Sequence, residues 1–239
     1  MTLPPSDLDT QALAALAGAL HPTSPRPDGL FSRESPSWQR LLAAARQHRV
    51  AGLISVALTR AGRLESLPET VRLQLRRDVL AAQRECAIQR RALAAAAAVL
   101  SAAGIPVIAL KGAALQLTVY EQPGLRPMSD VDLLVAPDRL DDAVEALERG
   151  GFIKPSDADV AFWKSAYYNL PLSAPGEPPA VIEIHWSIAQ EDRHRPDVAG
   201  LFRRRQVVRL DIPERGEIGV LSPCDLLLHQ ALLHSYHFF

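Results

Sequence analysis

Lysine is scarce in this chain, since it occurs only at positions 111, 154 and 164 among 239 residues. Arginine therefore carries almost all of the positive charge, and the formal net charge is −1. A dedicated nucleic-acid-binding protein usually carries a basic stripe and a clear positive excess. The balanced charge argues against nucleic acid as the partner, and the rarity of lysine draws attention to each of the three.

Cysteine is scarce as well, with only Cys86 and Cys224. The two residues lie far apart and form no metal-ligand spacing, so we interpret them as reduced thiols of a cytoplasmic protein. The first five residues also lack the basic start of a signal peptide.

Long hydrophobic runs are missing, apart from residues 92–110, which carry no charge. That run is mostly alanine, and a glycine and a proline interrupt it. We therefore expect a helix end followed by a buried strand, and no membrane-spanning segment.

The N-terminal part of the chain has the apolar periodicity of helices. Ser66 and Glu69 have capping-box spacing, which predicts the start of a long helix. The predicted helices cover residues 8–20, 36–47, 50–60 and 66–102, with a proline-rich connector at 21–37.

Two carboxylates lie two residues apart at the start of an apolar run, within residues 126–135. In a strand, Asp130 and Asp132 point to one face, while Val131 and Leu133 point to the other. Paired acids repel each other unless a positive group lies between them, and a hard divalent cation fills that need. The alternative is a strand edge whose two acids face water.

A second candidate site precedes this strand, in residues 105–115. The segment is typical of a short buried strand, a tight turn and the first turn of a helix. Lys111 and Gly112 lie at that turn, where a helix N-terminus, a glycine and an amine together favour phosphate binding. The alternative for Lys111 is a side chain that extends from the strand end into water.

A third carboxylate follows in residues 180–186, a strand by its β-branched alternation. Glu183 and His185 share one face of that strand. The third acid completes the set that two-metal phosphoryl chemistry uses. His185 either contacts metal or substrate, or it is a hydrogen-bonding partner that orients Glu183.

Together these segments resemble the nucleotidyltransferases of the DNA polymerase β superfamily. The segments L-K-G-A-A-L, R-P-M-S-D-V-D-L-L-V and E-I-H-W are similar to motifs of an uncharacterised bacterial branch of this superfamily. The likeness covers residues 105–186 well and the predicted helix 222–237 more loosely. The usual Gly-Ser or Gly-Gly turn is replaced here by Gly112-Ala113, so a serine hydroxyl that would hold a phosphate is missing.

The candidate site residues follow from these segments. We predict that Asp130, Asp132 and Glu183 are the catalytic residues and the ligands of Mg²⁺ or Mn²⁺. Arg126 either neutralises the triphosphate or bridges to a carboxylate in its own loop. The residues predicted to bind the nucleotide are Lys111, Gly112, Arg126 and Ser129.

The remaining elements complete an α/β (α+β) fold. We predict a helix at 137–150, a strand at 161–173 that pairs with the 180–186 strand, a basic helix at 193–205, and short strands at 207–210 and 217–221. The predicted domains are a helical N-terminal region (1–103), a small mixed-sheet nucleotidyltransferase core (104–221) and a C-terminal helix (222–239). Leucines make that last helix apolar, so it should pack on the core, on the N-terminal helices or on a second copy of the chain.

The function that these residues favour is transfer of a nucleoside monophosphate, or of a phosphoryl group, from an NTP to an acceptor hydroxyl on a small molecule, peptide or protein. Two alternatives stay open. One is a non-catalytic nucleotide- or partner-binding module that has kept the fold. The other is a kinase-like enzyme that tailors a peptide.

Overall fold

A computed structural model describes residues 38–120, 122–190, 194–210 and 216–236. The predicted helix 8–20 and the connector 21–37 lie outside the described residues. The helices are α1 (Trp38–Gln47), α2 (Ala51–Arg60), α3 (Glu69–Ala102), α4 (Lys111–Thr118), α5 (Leu140–Arg149), α6 (Asp157–Ala166), α7 (Val198–Arg204) and α8 (Pro223–Tyr236). The strands are β1 (Ile108–Ala109), β2 (Asp130–Leu134), β3 (Asn169–Ser173), β4 (Val181–His185), β5 (Gln206–Arg209) and β6 (Glu217–Val220).

The mixed α/β fold class is therefore confirmed. None of the helices in the described ranges is long and apolar enough to cross a membrane. Both cysteines are free thiols, with Cys86 buried and Cys224 exposed.

The chain divides into two compact units. The first contains residues up to Cys86 together with Gln122–Pro127, and the second contains Ala87–Glu121 and the chain from Met128 onwards. Helix α3 contributes its first half to one unit and its second half to the other. The predicted boundary at residue 103 assigns all of α3 to the N-terminal region, and that division of the chain stays a prediction.

The first unit is helical and has its own apolar core, formed by α1, α2 and the start of α3. Residues 122–127 pack so tightly on α2 that a Cβ on Gly52 would lie 2.5 Å from the carbonyl oxygen of Gly124. The predicted capping box is wrong, because Ser66 lies in a 3-10 turn and its hydroxyl donates to the carbonyl of Arg63 at 2.8 Å.

The second unit is built on one six-stranded mixed sheet, in the order β3-β4-β2-β1-β6-β5. Strands β2 and β4 are parallel neighbours, whereas β1 pairs antiparallel with β2 and parallel with β6. Strands β3 and β4 form the predicted antiparallel pair. The two strands that carry the candidate acids are thus adjacent in the middle of the sheet.

Each face of this sheet buries an apolar cluster, because side chains alternate along every strand. On one face, Val131 and Ile182 pack against the second half of α3 and against α5. On the other face, Leu134 packs with Ile108 and Leu201 beneath α7 and α8. Asp130 and Asp132 share that second face with Leu134, so the acids border a sealed apolar region.

The predicted strand at 161–173 is wrong in its first half, which forms α6. Ser156 is the N-cap of this helix, since its Oγ accepts from the backbone N–H of Asp159 at 3.3 Å. Val160 and Trp163, three residues apart, both pack against the core. The strand begins only at Asn169.

Candidate active site

The parallel pairing of β2 and β4 brings two acids from distant parts of the chain side by side. Asp132 lies opposite Glu183, and Asp130 lies opposite Val181. Directly opposed residues in neighbouring strands point to the same face. The two carboxylates therefore share one site, as the alternation of each strand predicts.

Asp132 is at the centre of the site and is almost fully buried, with 1% of the residue exposed. Its Oδ1 lies 2.6 Å from the amine of Lys111 and 2.9 Å from His185 Nε2. Burial would raise the pKa of Asp132, but the hydrogen bond and charge of His185 and the charge of Lys111 outweigh it and lower the pKa. Asp132 is thus held as a carboxylate.

Lys111 lies against the acids and does not extend into water. Its Nζ is also 3.8 Å from Glu183 Oε2, and the side chain is 28% exposed. Burial acts to lower the pKa of Lys111, but Asp132 and Glu183 raise it above the ordinary value. The backbone of Lys111 has φ +43°, a left-handed conformation that side chains other than glycine seldom adopt.

His185 connects the same two carboxylates from below the surface, with 1% of the residue exposed. Its Nε2 is 3.3 Å from Glu183 Oε2. Carboxylate oxygens only accept, so Nε2 carries the proton and donates. Burial acts to lower the pKa of His185, whereas the hydrogen bonds to Asp132 and Glu183 raise it. This is the contact pattern of a residue that orients the acids.

Asn169 is a site residue that the sequence reasoning missed. Its Nδ2 donates to Glu183 Oε2 at 2.7 Å from the paired strand β3. The predicted pairing of the two strands contained the signal. A polar residue at the start of β3, opposite the end of β4, lies beside the acid.

Asp130 lies at the outer edge of the cluster and is half-buried. Burial raises its pKa, and the charges of Asp132 and Glu183 raise it further. Ser129 Oγ donates to Asp130 Oδ1 at 3.3 Å, and the Ser129 carbonyl accepts from Gln89 Nε2 at 2.8 Å. In this structure Ser129 thus contacts Asp130.

Helix α4 begins next to the acids. Its N-cap is Leu110, which has extended backbone and provides no side-chain cap. The Leu110 N–H donates to the Asp132 carbonyl at 2.9 Å, which ties the helix start to β2. A Cβ on Gly112 would lie 2.9 Å from Met128 Cγ, so only glycine leaves room for the Met128 side chain at this position. The first N–H groups of α4 remain available to an anion.

Arg126 belongs to the first unit and is exposed. Its predicted contact with the nucleotide stays a prediction. The other predicted residues, from Lys111 to His185, all belong to the second unit.

His229 of α8 is a second residue that the sequence reasoning missed. It is 1% exposed, and its Nδ1 has no hydrogen-bond partner among the described residues. Burial, with a smaller effect from the positive charges of His185 and Lys111, lowers the pKa of His229 to about 4. His229 follows Leu226 by three residues, on the helix face that packs on the core. That spacing was the available signal.

A cavity of about 530 Å³ lies beside the site. Tyr168 lines it, and the Tyr168 ring centroid is 5.7 Å from that of His185. Trp186 packs against the apolar core and also lines this cavity. The remaining lining residues are Lys164, Ser165, Ala166, Tyr167 and Gln190.

The arrangement fits a divalent cation. One carboxylate oxygen of Asp132 and one of Glu183 lie within 4.8 Å of each other. Two ligand atoms of one metal ion lie between about 3 and 4.6 Å apart, since each bond is roughly 2.0–2.3 Å long. Three carboxylates face this position, and a divalent cation would reduce the repulsion between them.

Comparison with known proteins agrees with this geometry. A family model described as an uncharacterised nucleotidyltransferase matches residues 34–239. No curated protein and no solved structure matches the chain. The matched region contains the acids, the α4 turn and α8, and it covers most of the chain. The chain therefore belongs to this family of uncharacterised nucleotidyltransferases.

Proposed function

We propose that the protein transfers a nucleoside monophosphate, or a phosphoryl group, from an NTP to an acceptor hydroxyl. The acceptor is a small molecule, a peptide or a protein. The observation that supports this most directly is the register that places Asp132 opposite Glu183, beside an uncapped helix N-terminus. Acids next to an anion-binding turn are the parts that phosphoryl transfer requires.

Asp130, Asp132 and Glu183 would hold Mg²⁺ or Mn²⁺, since both ions prefer carboxylate oxygens. A divalent cation bound there supplies charge neutralisation for the phosphates and lowers the pKa of an attacking hydroxyl. His185 and Asn169 fix the orientation of Glu183 through hydrogen bonds to its Oε2. Such outer partners pre-organise a site for its ion.

The phosphates of the NTP would lie at the start of α4. The free N–H groups of that first turn and the positive end of the helix dipole attract anions. Lys111 and Gly112 belong to this turn, and Ser129 is a further candidate for contact with the nucleotide.

Nucleotidyl transfer is balanced as follows. The acceptor oxygen forms a bond to the α-phosphorus, the bond to the oxygen that bridges to the β-phosphorus breaks, and pyrophosphate leaves. The proton of the acceptor hydroxyl passes to the Glu183 carboxylate and then to solvent. In phosphoryl transfer the same oxygen attacks the γ-phosphorus, and NDP leaves.

The acceptor would occupy the cavity beside Tyr168. Sheet order supports this assignment, because the α4 turn follows β1 while the cavity lies at the β3–β4 side of the acids. A volume of about 530 Å³ is within the usual range for small-molecule sites. Aromatic walls with Lys164, Ser165 and Gln190 suit a ring that bears hydroxyl groups.

One observation favours a second candidate, a nucleotide-binding module without catalysis. The amine of Lys111 already neutralises Asp132. A site that supplies its own cation can bind a nucleotide without catalysing transfer.

Incubation with α-labelled and γ-labelled NTP, each with Mg²⁺ or Mn²⁺, separates these functions. Nucleotidyl transfer fixes the α label on the acceptor or on the protein, and phosphoryl transfer fixes the γ label. Asp132→Asn should abolish either transfer, whereas Asp138→Asn, at an exposed position, should leave it unchanged. NTP binding without any fixed label would favour the non-catalytic module.

A further inference from the structure

Three groups converge on two carboxylate oxygens in this site. Asp132 Oδ1 contacts the Lys111 amine at 2.6 Å and His185 Nε2 at 2.9 Å. Glu183 Oε2 contacts Asn169 Nδ2 at 2.7 Å, His185 Nε2 at 3.3 Å and the Lys111 amine at 3.8 Å. The oxygens that a cation would bind are thus the ones that Lys111 approaches.

The amine and a divalent cation cannot share this position. A metal ion bound to Asp132 Oδ1 would lie within a few ångströms of the Lys111 ammonium, and two like charges at that distance repel strongly in a partly buried site. Binding of the ion must therefore move the amine away. His185 and Asn169 can remain, since their hydrogen bonds orient the carboxylates.

Once displaced, the amine of Lys111 would lie within reach of the phosphates of a bound NTP. Lys111 is the first residue of α4, so its side chain starts at the turn where the phosphates would bind. The left-handed backbone at Lys111, with φ +43°, accompanies its present contact with the acids. Strained conformations of this kind are concentrated at sites that switch or bind ligands.

We infer that Lys111 is an exchangeable counter-ion, which neutralises Asp132 and Glu183 until a divalent cation takes its place and then binds the phosphates of the NTP. The inference rests on the proposed function for the second half of this exchange. The exchange predicts that the metal ion binds weakly on its own and that bound nucleotide increases the affinity for the metal ion. By linkage, the metal strengthens nucleotide binding by the same factor.

The decisive measurement is the affinity for Mn²⁺ alone, without nucleotide, by calorimetry or electron paramagnetic resonance. Lys111→Met keeps the length of the side chain and removes its charge, so the variant should bind Mn²⁺ about tenfold more tightly than the parent, a typical coupling factor. Lys154, which lies outside the acids and the cavity, supplies the matched control. Lys154→Met should bind Mn²⁺ as the parent does.

A second measurement uses the parent protein and does not depend on the variant's folding. With lysine labelled by ¹³C at the ε carbon, the chain gives three lysine signals, and Lys111→Met identifies one of them. Titration with Mg²⁺ should shift the Lys111 signal and leave the signals of Lys154 and Lys164 in place. Addition of a non-hydrolysable NTP should shift the Lys111 signal again.

The outcomes separate the inference from the proposed function. Equal or weaker Mn²⁺ binding by a folded Lys111→Met would overturn the exchange and show a purely structural ion pair, while the metal site would stand. A Lys111 signal that does not move with saturating Mg²⁺ would overturn it equally. If neither the parent nor the variant binds Mn²⁺, both the exchange and the metal-dependent function are wrong.

Discussion

At the scale of single residues, the two aspartates of β2 differ although they are only two positions apart. Asp132 is stabilised as a carboxylate by Lys111 and His185, which lower its pKa. Asp130 has no such pairing, and burial and its acidic neighbours raise its pKa. The sequence alone makes the pair look equivalent, because alternation in a strand predicts the face of a side chain and not its partners.

The two aspartates should therefore have opposite effects on stability in the absence of metal. Asp132→Asn should lower the free energy of unfolding by about 2 kcal/mol, since it leaves Lys111 and His185 without their negative partner. A carboxyl group whose pKa is lower in the folded state stabilises the fold at pH values above its pKa in the unfolded chain, and this stabilisation disappears as the pH falls. The destabilisation caused by Asp132→Asn should therefore be largest near neutral pH. Asp130→Asn should raise the free energy of unfolding, because it relieves repulsion.

Urea unfolding at pH 7.5 in the presence of EDTA measures both changes. Asp138→Asn is the matched control and should leave the midpoint unchanged, because that aspartate is exposed and lies outside the site. Loss of stability of equal size in both site variants would contradict the assigned electrostatics.

His229 should make the protein less stable as the pH falls. Its pKa is about 4 in the fold against 6.5 in the unfolded chain. Between pH 6.5 and pH 4 the unfolded state binds a proton that the folded state does not bind. The free energy of unfolding therefore declines by at most about 1.4 kcal/mol for each unit by which the pH falls. The charged groups near it, His185, Lys111 and Asp132, remain in the variant and cancel in the comparison.

The test compares unfolding at pH 7.5 and pH 5 for the parent and for His229→Leu. The variant should lose less stability between the two pH values than the parent. His48→Gln, at an exposed position, should behave like the parent. A pH dependence in His229→Leu that matches the parent would show that this histidine does not contribute.

At the scale of elements, the last helix shows what apolar content can and cannot predict. Its leucines indicate a packed helix, and α8 does pack in the second unit through Leu226. Leu227 and Leu228 are nevertheless exposed, at 71% and 62%. Composition alone could not say which leucines face inwards, because that depends on the rotation of the helix on the sheet.

Leu226 and Leu228 should differ in their contribution to stability. Leu226→Ala removes contacts with the second apolar cluster and should cost about 1–2 kcal/mol. Leu228→Ala should change the free energy of unfolding by less than about 0.5 kcal/mol, as is usual for exposed positions. Chemical denaturation of the two variants provides the measurement, and equal losses would show that α8 packs in another rotation.

Helix α6 shows a different limit of sequence reasoning. Aromatic residues in 161–173 favour a strand by propensity, yet Ser156 and the acids after it begin a helix. A capping signal just ahead of the segment outweighs the propensity of the residues within it. Ser156→Ala should thus lower stability by about 1 kcal/mol, measurable by thermal unfolding.

At the scale of the whole molecule, the order of the main elements follows from the sequence. Two-residue alternation identified β2 and β4, and glycine with lysine identified the turn before α4. The register that sets Asp132 against Glu183 is tertiary, as is the contact of Asn169 with Glu183. Such contacts depend on which strands become neighbours, and no local pattern encodes that.

Metal should stabilise the whole second unit, since only the folded chain presents the site. At an ion concentration of 100 times the dissociation constant, Mn²⁺ should raise the free energy of unfolding by about 2.7 kcal/mol, and EDTA should reverse the gain. Asp130→Asn should lose this increment, while Asp138→Asn should keep it. A parent protein whose melting temperature does not respond to Mn²⁺ would contradict a metal site.

The parallel pairing of β2 with β4 has a kinetic consequence. Asp132 and His185 are 53 positions apart, and α5, α6 and β3 lie in the chain between them. Closing so long a loop is slow compared with forming local helices. During synthesis the acids therefore remain separate and solvated until β4 has emerged. A chain interrupted before that point lacks the paired acids on which the proposed site depends.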